Sequence, residues 1–447
     1  MPDSSFFSTH SVFTVEGPQH VYTGQQTRDP NHQSYDLCVI EFQDDGSFAA
    51  PAQLDRTVEA IERARKENPN GAIVFLFIHG WHHNAEWNRD DGSGDSNFSS
   101  FRQILLHLTL RESERYFDKA GGRRVVGIYL GWSGKTDGIL EKLGPLKNLS
   151  FWDRYGTAEE IGRNDPLRTT IAKIVAATKD PLENVQSDVE SPLILTGHSM
   201  GALMLESAFL SLLKAEDQPL LREPAPSSGN GVTIERDERP FAFPDVLIAL
   251  NSAADSRIAR EILETLEEQK FSKTVVSDQF SYSPPMLISV TSTADSATKT
   301  IWRLAQGWNI GRRTDGHDSS LFTHSFERDG RICSCMAAAG IDYGQDWHCL
   351  RPPEPPAIPT PSFPLDLPVT RRSETGDYQH ERWYLRPLDD GLSSHLAWIF
   401  QVPEEIMEEH NDIFNFKSML LVLAMIQISG ATMSLAEDWG RNFEREW

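Results

Sequence analysis

The chain has 447 residues, 39% of them hydrophobic and 24% charged, enough to bury a large core as one big domain or two modest ones. A formal net charge of -23, with no local concentration of basic residues, excludes a nucleic-acid surface, because a polyanion would be repelled. Four cysteines (one at 38 and three clustered at 333, 335 and 349) do not make a disulfide framework for a chain this long. The start, "MPDSSFFSTHSVFTVEG", lacks the basic and apolar runs of a secretory signal, and the longest apolar run, "MLLVLAMI" (419 to 426), is too short to span a bilayer. A cytoplasmic protein with no transmembrane segment is the expectation.

In chain order, apolar β-branched runs of strand length occur at 35–42, 72–79, 124–132, 192–197, 245–251, 286–292 and 396–402. Between them, helical periodicity covers 54–68, 98–117, 157–178, 200–214, 257–269, 296–305 and 415–428. Strands apolar at consecutive positions need cover on both faces, so this alternation predicts an α/β fold: a mostly parallel, doubly wound sheet flanked by helices. The domain is expected over 35–430, with an N-terminal extension (1–34), a C-terminal tail (431–447) and insertions at 133–156, 215–243 and 306–392. The last two show no sustained periodicity and read as loops; Trp302, Trp308, Phe322 and Phe326 suggest that the longest is a lid.

Within "LILTGHSMGALMLESAFLSLL" (193 to 213), an apolar strand leaves through Gly197, passes Ser199 and enters an apolar-periodic helix at once. Gly197-His198-Ser199-Met200-Gly201 fits the pattern G-x-S-x-G, whose glycines keep side chains away from a strained turn that holds a nucleophile. Alone the pattern is weak; the strand before it and the buried helical face after it supply the context it needs. On these residues the chain resembles the α/β-hydrolase superfamily, in particular its GHSMG-bearing serine esterases and lipases, over about 35 to 430.

The resemblance implies a triad in the chain order Ser, acid, His, because a serine hydroxyl needs a base and the base needs an orienting carboxylate. His410, between the last strand and the last helix, is the expected base; His395, His317 and His324 are the other candidates. Asp295, after the strand at 286–292, is the expected acid, with Asp255 one strand earlier as the alternative. Both aspartates also stand where a helix N-cap is favoured. The oxyanion hole is expected from the backbone N–H groups of Met200 and of Trp81, the latter in "FIHGWHHNAEWN", which resembles the family's His-Gly loop. His198, Trp132 and Trp152 are expected to contact substrate. In relatives the segment at 131–134 looks like Gly-Trp-Arg-Gly; here Ser133 replaces the arginine.

Competing motifs fail on spacing. "YLGWSGKTDG" (129 to 138) has Tyr129 where a phosphate-binding loop needs glycine. His79, His82 and His83 would not converge on a metal from a strand, and Cys333, Cys335, His348 and Cys349 have a tighter gap than zinc sites use. The acidic spacing of "WNRDDGSGDSN" (87 to 97) fails the calcium-loop pattern. No metal or cofactor is expected. The implied function is carboxylic-ester hydrolysis through an acyl-enzyme, on a small-molecule or lipid-like ester. Amide or thioester cleavage or acyl transfer on the same triad, or a binding module without catalysis, are the alternatives. Nothing in the sequence indicates an oligomeric state.

Overall fold

The computed structural model describes residues 11–16, 34–87, 94–115, 122–134, 147–179, 191–215, 232–236, 239–240, 242–275, 284–295, 322–328, 333–335, 363–367, 378–388 and 396–431. The chain begins with β1 (Val12–Glu16), β2 (Ser34–Glu41), α1 (Ala52–Glu67), β3 (Ala72–Ile78), α2 (Ser96–Arg115), β4 (Arg124–Gly131), α3 (Lys147–Arg163), α4 (Asp165–Lys179), β5 (Leu193–His198) and α5 (Met200–Lys214). It continues with β6 (Val232–Arg236), β7 (Arg239–Pro240), β8 (Val246–Leu250), α6 (Ser256–Glu268), β9 (Phe271–Val275) and β10 (Leu287–Ser292). The last elements are β11 (His324–Arg328), β12 (Cys333–Cys335), β13 (Phe363–Leu367), β14 (Tyr378–Pro387), β15 (Ala397–Val402) and α7 (Phe416–Ile428).

All seven apolar runs are strands of one sheet, ordered β1-β2-β4-β3-β5-β8-β10-β15. Every pairing in it is parallel except that of β1 with β2, which places the antiparallel strand at an edge. Alternate residues of each strand feed two separate cores. Val74, Leu76 and Ile78 of β3 pack with α1, α4, α5 and α6, whereas Ile73, Phe75 and Phe77 pack with α2 and α7. Burying each such side chain contributes about 1.5–3 kcal/mol, so neither face could stay uncovered.

The predicted helix at 157–178 is two helices. Asn164 closes the first, its N–H bonded to the Glu160 and Ile161 carbonyls, and Pro166, which has no N–H to give, starts the second. Strands also occur where loops are predicted. In 215–243, β6 pairs with β7 and with β9, and in 306–392, β14 pairs with β11, β12 and β13. Trp383 and Leu385, alternate residues of β14, are buried in the second core, a period-two signal masked by the Pro-rich chain around it. Part of the N-terminal extension, as β1, joins the main sheet. The helix predicted at 296–305 and the tail beyond 431 lie outside the described residues. No helix among the described residues is long and apolar enough to cross a membrane.

Candidate active site

All the parallel strands end at one edge of the sheet, where ligands of open α/β sheets bind. Ser199 stands between β5 and α5 at φ 54 and ψ -117, a backbone conformation that costs a non-glycine residue about 1–3 kcal/mol. Its surroundings over-determine it: its N–H donates to the Leu250 carbonyl at 3.0 Å, and its carbonyl accepts from Leu203 and Ala253, each at 3.1 Å. The flanking glycines are steric necessities. A methyl at Gly197 would lie 2.7 Å from Cα of Ala202, and one at Gly201 would run into the carbonyl oxygens of Ile78 and His79. Met200 opens α5, so the helix offers its N–H no carbonyl.

His410 and Asp295 converge on this serine. Nε2 of His410 is 2.7 Å from Ser199 Oγ, and its Nδ1 is 2.9 Å from Asp295 Oδ2. A carboxylate accepts, so Nδ1 carries the hydrogen and Nε2 presents its lone pair to the hydroxyl. Asp295 has a fully buried side chain, while His410 keeps 18% of its side chain exposed, so the relay is sheltered and its outer edge open. Asp255 is occupied elsewhere: it caps α6, accepting from the Arg257 N–H at 2.9 Å and pairing with the Arg257 guanidinium at 2.9 Å. His324 is buried against Trp398, ring centroids 4.2 Å apart. His317 and His395 lie outside the described residues.

Gly80 brings the loop after β3 against the nucleophile; a methyl there would stand 3.0 Å from Cβ of Ser199. Nδ1–H of His79 donates to the Gly80 carbonyl at 2.9 Å, which leaves Nε2 to accept from the Trp132 N–H at 3.2 Å. No peptide bond among the described residues is cis, so the Trp81 N–H points opposite to the Gly80 carbonyl that His79 holds. The loop after β4 braces the same segment. Trp132 Nε1–H donates to the His79 carbonyl at 3.1 Å, and the His82 N–H donates to the Gly134 carbonyl at 2.9 Å. Arg154 of α3 donates to the Ser133 carbonyl at 3.0 Å and to Asp44 at 2.7 Å, so a guanidinium reaches this loop. His83 pairs with Asp95 at 3.0 Å. Burial raises the Asp95 carboxyl, but the His83 hydrogen bond and charge and the Asn97 N–H outweigh it and hold the group below the usual carboxylate range.

Two of the three side chains predicted to contact substrate are buried in the protein. His198 is 1% exposed and its Nε2 lies 2.8 Å from the His410 carbonyl. Burial first, and the neighbouring His410 second, push the His198 ring well below the ordinary histidine range, so it is neutral. Trp132 is 4% exposed and stacks on His79 at 5.7 Å. The side chain of Trp152, in α3, lies outside the described residues, as do those of Cys333, Cys335, His348 and Cys349. Of the aromatics predicted for a lid, Phe326 stacks on Trp383 at 4.9 Å and packs against the second core; Trp302 and Trp308 are outside the described residues. Among the described residues no group of three or more His, Cys, Asp or Glu is arranged to hold a metal ion.

Asn251 is the functional-site residue that sequence reasoning missed. It has φ 44, is fully buried, and donates to the His410 carbonyl at 2.9 Å. Its one local signal is an amide side chain at the C-terminal end of an apolar strand, where an isolated asparagine favours the left-handed region. The chain matches no protein-family model, no curated protein and no solved structure.

Proposed function

We propose that the chain is a serine hydrolase of the α/β-hydrolase fold that cleaves carboxylic esters through an acyl-enzyme. The observation that carries this proposal is the continuous relay from Ser199 Oγ through His410 to Asp295, at 2.7 and 2.9 Å, built on a serine held at φ 54. Ser199 Oγ attacks the ester carbonyl carbon as its proton passes to His410 Nε2, while the buried Asp295 carboxylate stabilises the imidazolium that forms. The N–H groups of Met200 and Trp81 hold the developing oxyanion. Collapse of the tetrahedral intermediate breaks the C–O bond, and His410 returns its proton to the departing alcohol. Water, deprotonated by the same imidazole, then cleaves the acyl-serine and frees the carboxylic acid.

A fluorophosphonate probe and a series of p-nitrophenyl esters of rising chain length test this. The wild type is expected to label at Ser199 and to turn over at least one ester, and Ser199→Ala to lose turnover by at least about 10⁴-fold. Undiminished hydrolysis by Ser199→Ala would remove this serine from the reaction. Amide or thioester cleavage and acyl transfer use the same atoms; product analysis with competing alcohol and amine acceptors separates them.

A further inference from the structure

A proton acceptor must be held to within a fraction of an ångström of the hydroxyl it serves. His410 lies in a connection, residues 403–415, that has neither helix nor strand. Its two ring bonds orient the imidazole but leave the height of its backbone above the sheet to something else. That backbone is gripped at one atom. The His410 carbonyl oxygen accepts from His198 Nε2 at 2.8 Å and from Asn251 Nδ2 at 2.9 Å, two donors from the ends of adjacent strands. Asn251 is itself fixed, its Oδ1 accepting the Ser292 N–H at 2.8 Å, and Ser292 Oγ–H donates to the Met407 carbonyl at 2.5 Å. Side chains at the ends of β5, β8 and β10 thus register the connection against the sheet.

We infer that His198 and Asn251 are positioning residues, which set the proton acceptor over Ser199 by holding its main-chain carbonyl, and that His198 works as a single, permanently neutral tautomer. The chemistry fixes that tautomer. A carbonyl only accepts, so the hydrogen must be on Nε2. Nδ1 is then the bare nitrogen, buried with no hydrogen-bond partner among the described residues and packed against Gly80, where an added methyl would come within 2.9 Å. A second proton on His198 would put a charge on a ring that is 1% exposed and whose Nδ1 faces no acceptor among the described residues, beside the ring that must become cationic during turnover. Sequence places His198 next to the nucleophile, and its ring reaches the backbone of the base.

This inference rests on the proposed triad, and its tests separate the two. In wild-type protein, ring ¹⁵N spectra, with His198 assigned by the signal missing in His198→Gln, are expected to report the neutral Nε2–H form from pH 5 to 9. An Nδ1–H tautomer or a titration within that window would overturn the inference. In turnover, His198→Leu is expected to lower kcat about 100-fold with KM within about twofold, the size expected for a misplaced catalytic group. His198→Gln, whose amide N–H can reach the same carbonyl, is expected to recover most of that loss. Asn251→Asp, which turns an acceptor toward the carbonyl, is expected to fall at least as far as His198→Leu, and it provides the activity arm if His198→Leu does not fold. A folded His198→Leu with wild-type kcat, or a Gln variant no better than Leu, would reduce His198 to packing. If the wild-type Ser199 fails to label with fluorophosphonate while the tautomer is as stated, the hydrolase proposal falls and the carbonyl grip stands.

Discussion

At the scale of single residues, the site depends on close approach. Gly201 lets the first turn of α5 press against the Ile78 and His79 carbonyls, in the segment that leads into the loop after β3. Gly201→Ala therefore has to move either the helix or the loop after β3. Overpacking of this kind costs about 1–3 kcal/mol. The expected result is a lowered Tm together with slower fluorophosphonate labelling of Ser199. Labelling at the wild-type rate in a destabilised variant would mean that the helix had yielded and the loop had not.

Among elements, α6 and β10 decide between two aspartates that look alike in sequence. Asp255 and Asp295 each follow an apolar strand, but Asp255 spends its carboxylate on the first turn of α6 and on Arg257, whereas Asp295 turns to His410. Asp255→Ala is expected to cost about 1 kcal/mol, the usual value of a lost N-cap, with kcat unchanged. Asp295→Asn is expected to leave Tm nearly as it was and lower kcat by about 10⁴-fold, since an amide stabilises the wrong imidazole tautomer. Thermal melts and ester kinetics on both variants check the pair; equal kcat losses would contradict the assignment. The elements themselves were legible to unequal degrees. The seven central strands are buried on both faces and read as continuous apolar runs. β1 and β14 alternate or run beside prolines, and their burial comes from partners elsewhere in the chain, so their local pattern was too weak to announce them.

For the molecule as a whole, Ser199 was legible from its own glycines, and His410 and Asp295 only from the chain order that the resemblance implies. The grip on His410 had none, because His198 and Asn251 meet it across 212 and 159 positions, and no spacing rule covers contacts that the sheet order creates. The same holds for Glu206 of α5, which sits under the sheet with Ser252 Oγ donating to it at 2.5 Å. Burial lifts its carboxyl from 4.5 to about 7, against hydrogen bonds from Ser252 and Ser289 that lower it. The folded protein thus holds this proton more tightly than the unfolded chain does. Stability from this group is complete below about pH 4.5 and is lost as the pH rises through about 7. Glu206→Gln removes the loss, and at pH 8 it is expected to be the more stable protein, by on the order of 3 kcal/mol. Tm measured at pH 5 and pH 8 should show a gain that grows with pH; a variant less stable at pH 8 would contradict it.

The bond between Ser199 and His410 joins positions 211 apart. Contacts of such span form only once the intervening polymer has closed its loops, which makes them slow to appear. During refolding from denaturant, far-ultraviolet circular dichroism should recover first and capacity to react with a fluorophosphonate pulse last, making covalent capture at this hydroxyl a clock for completed chain closure.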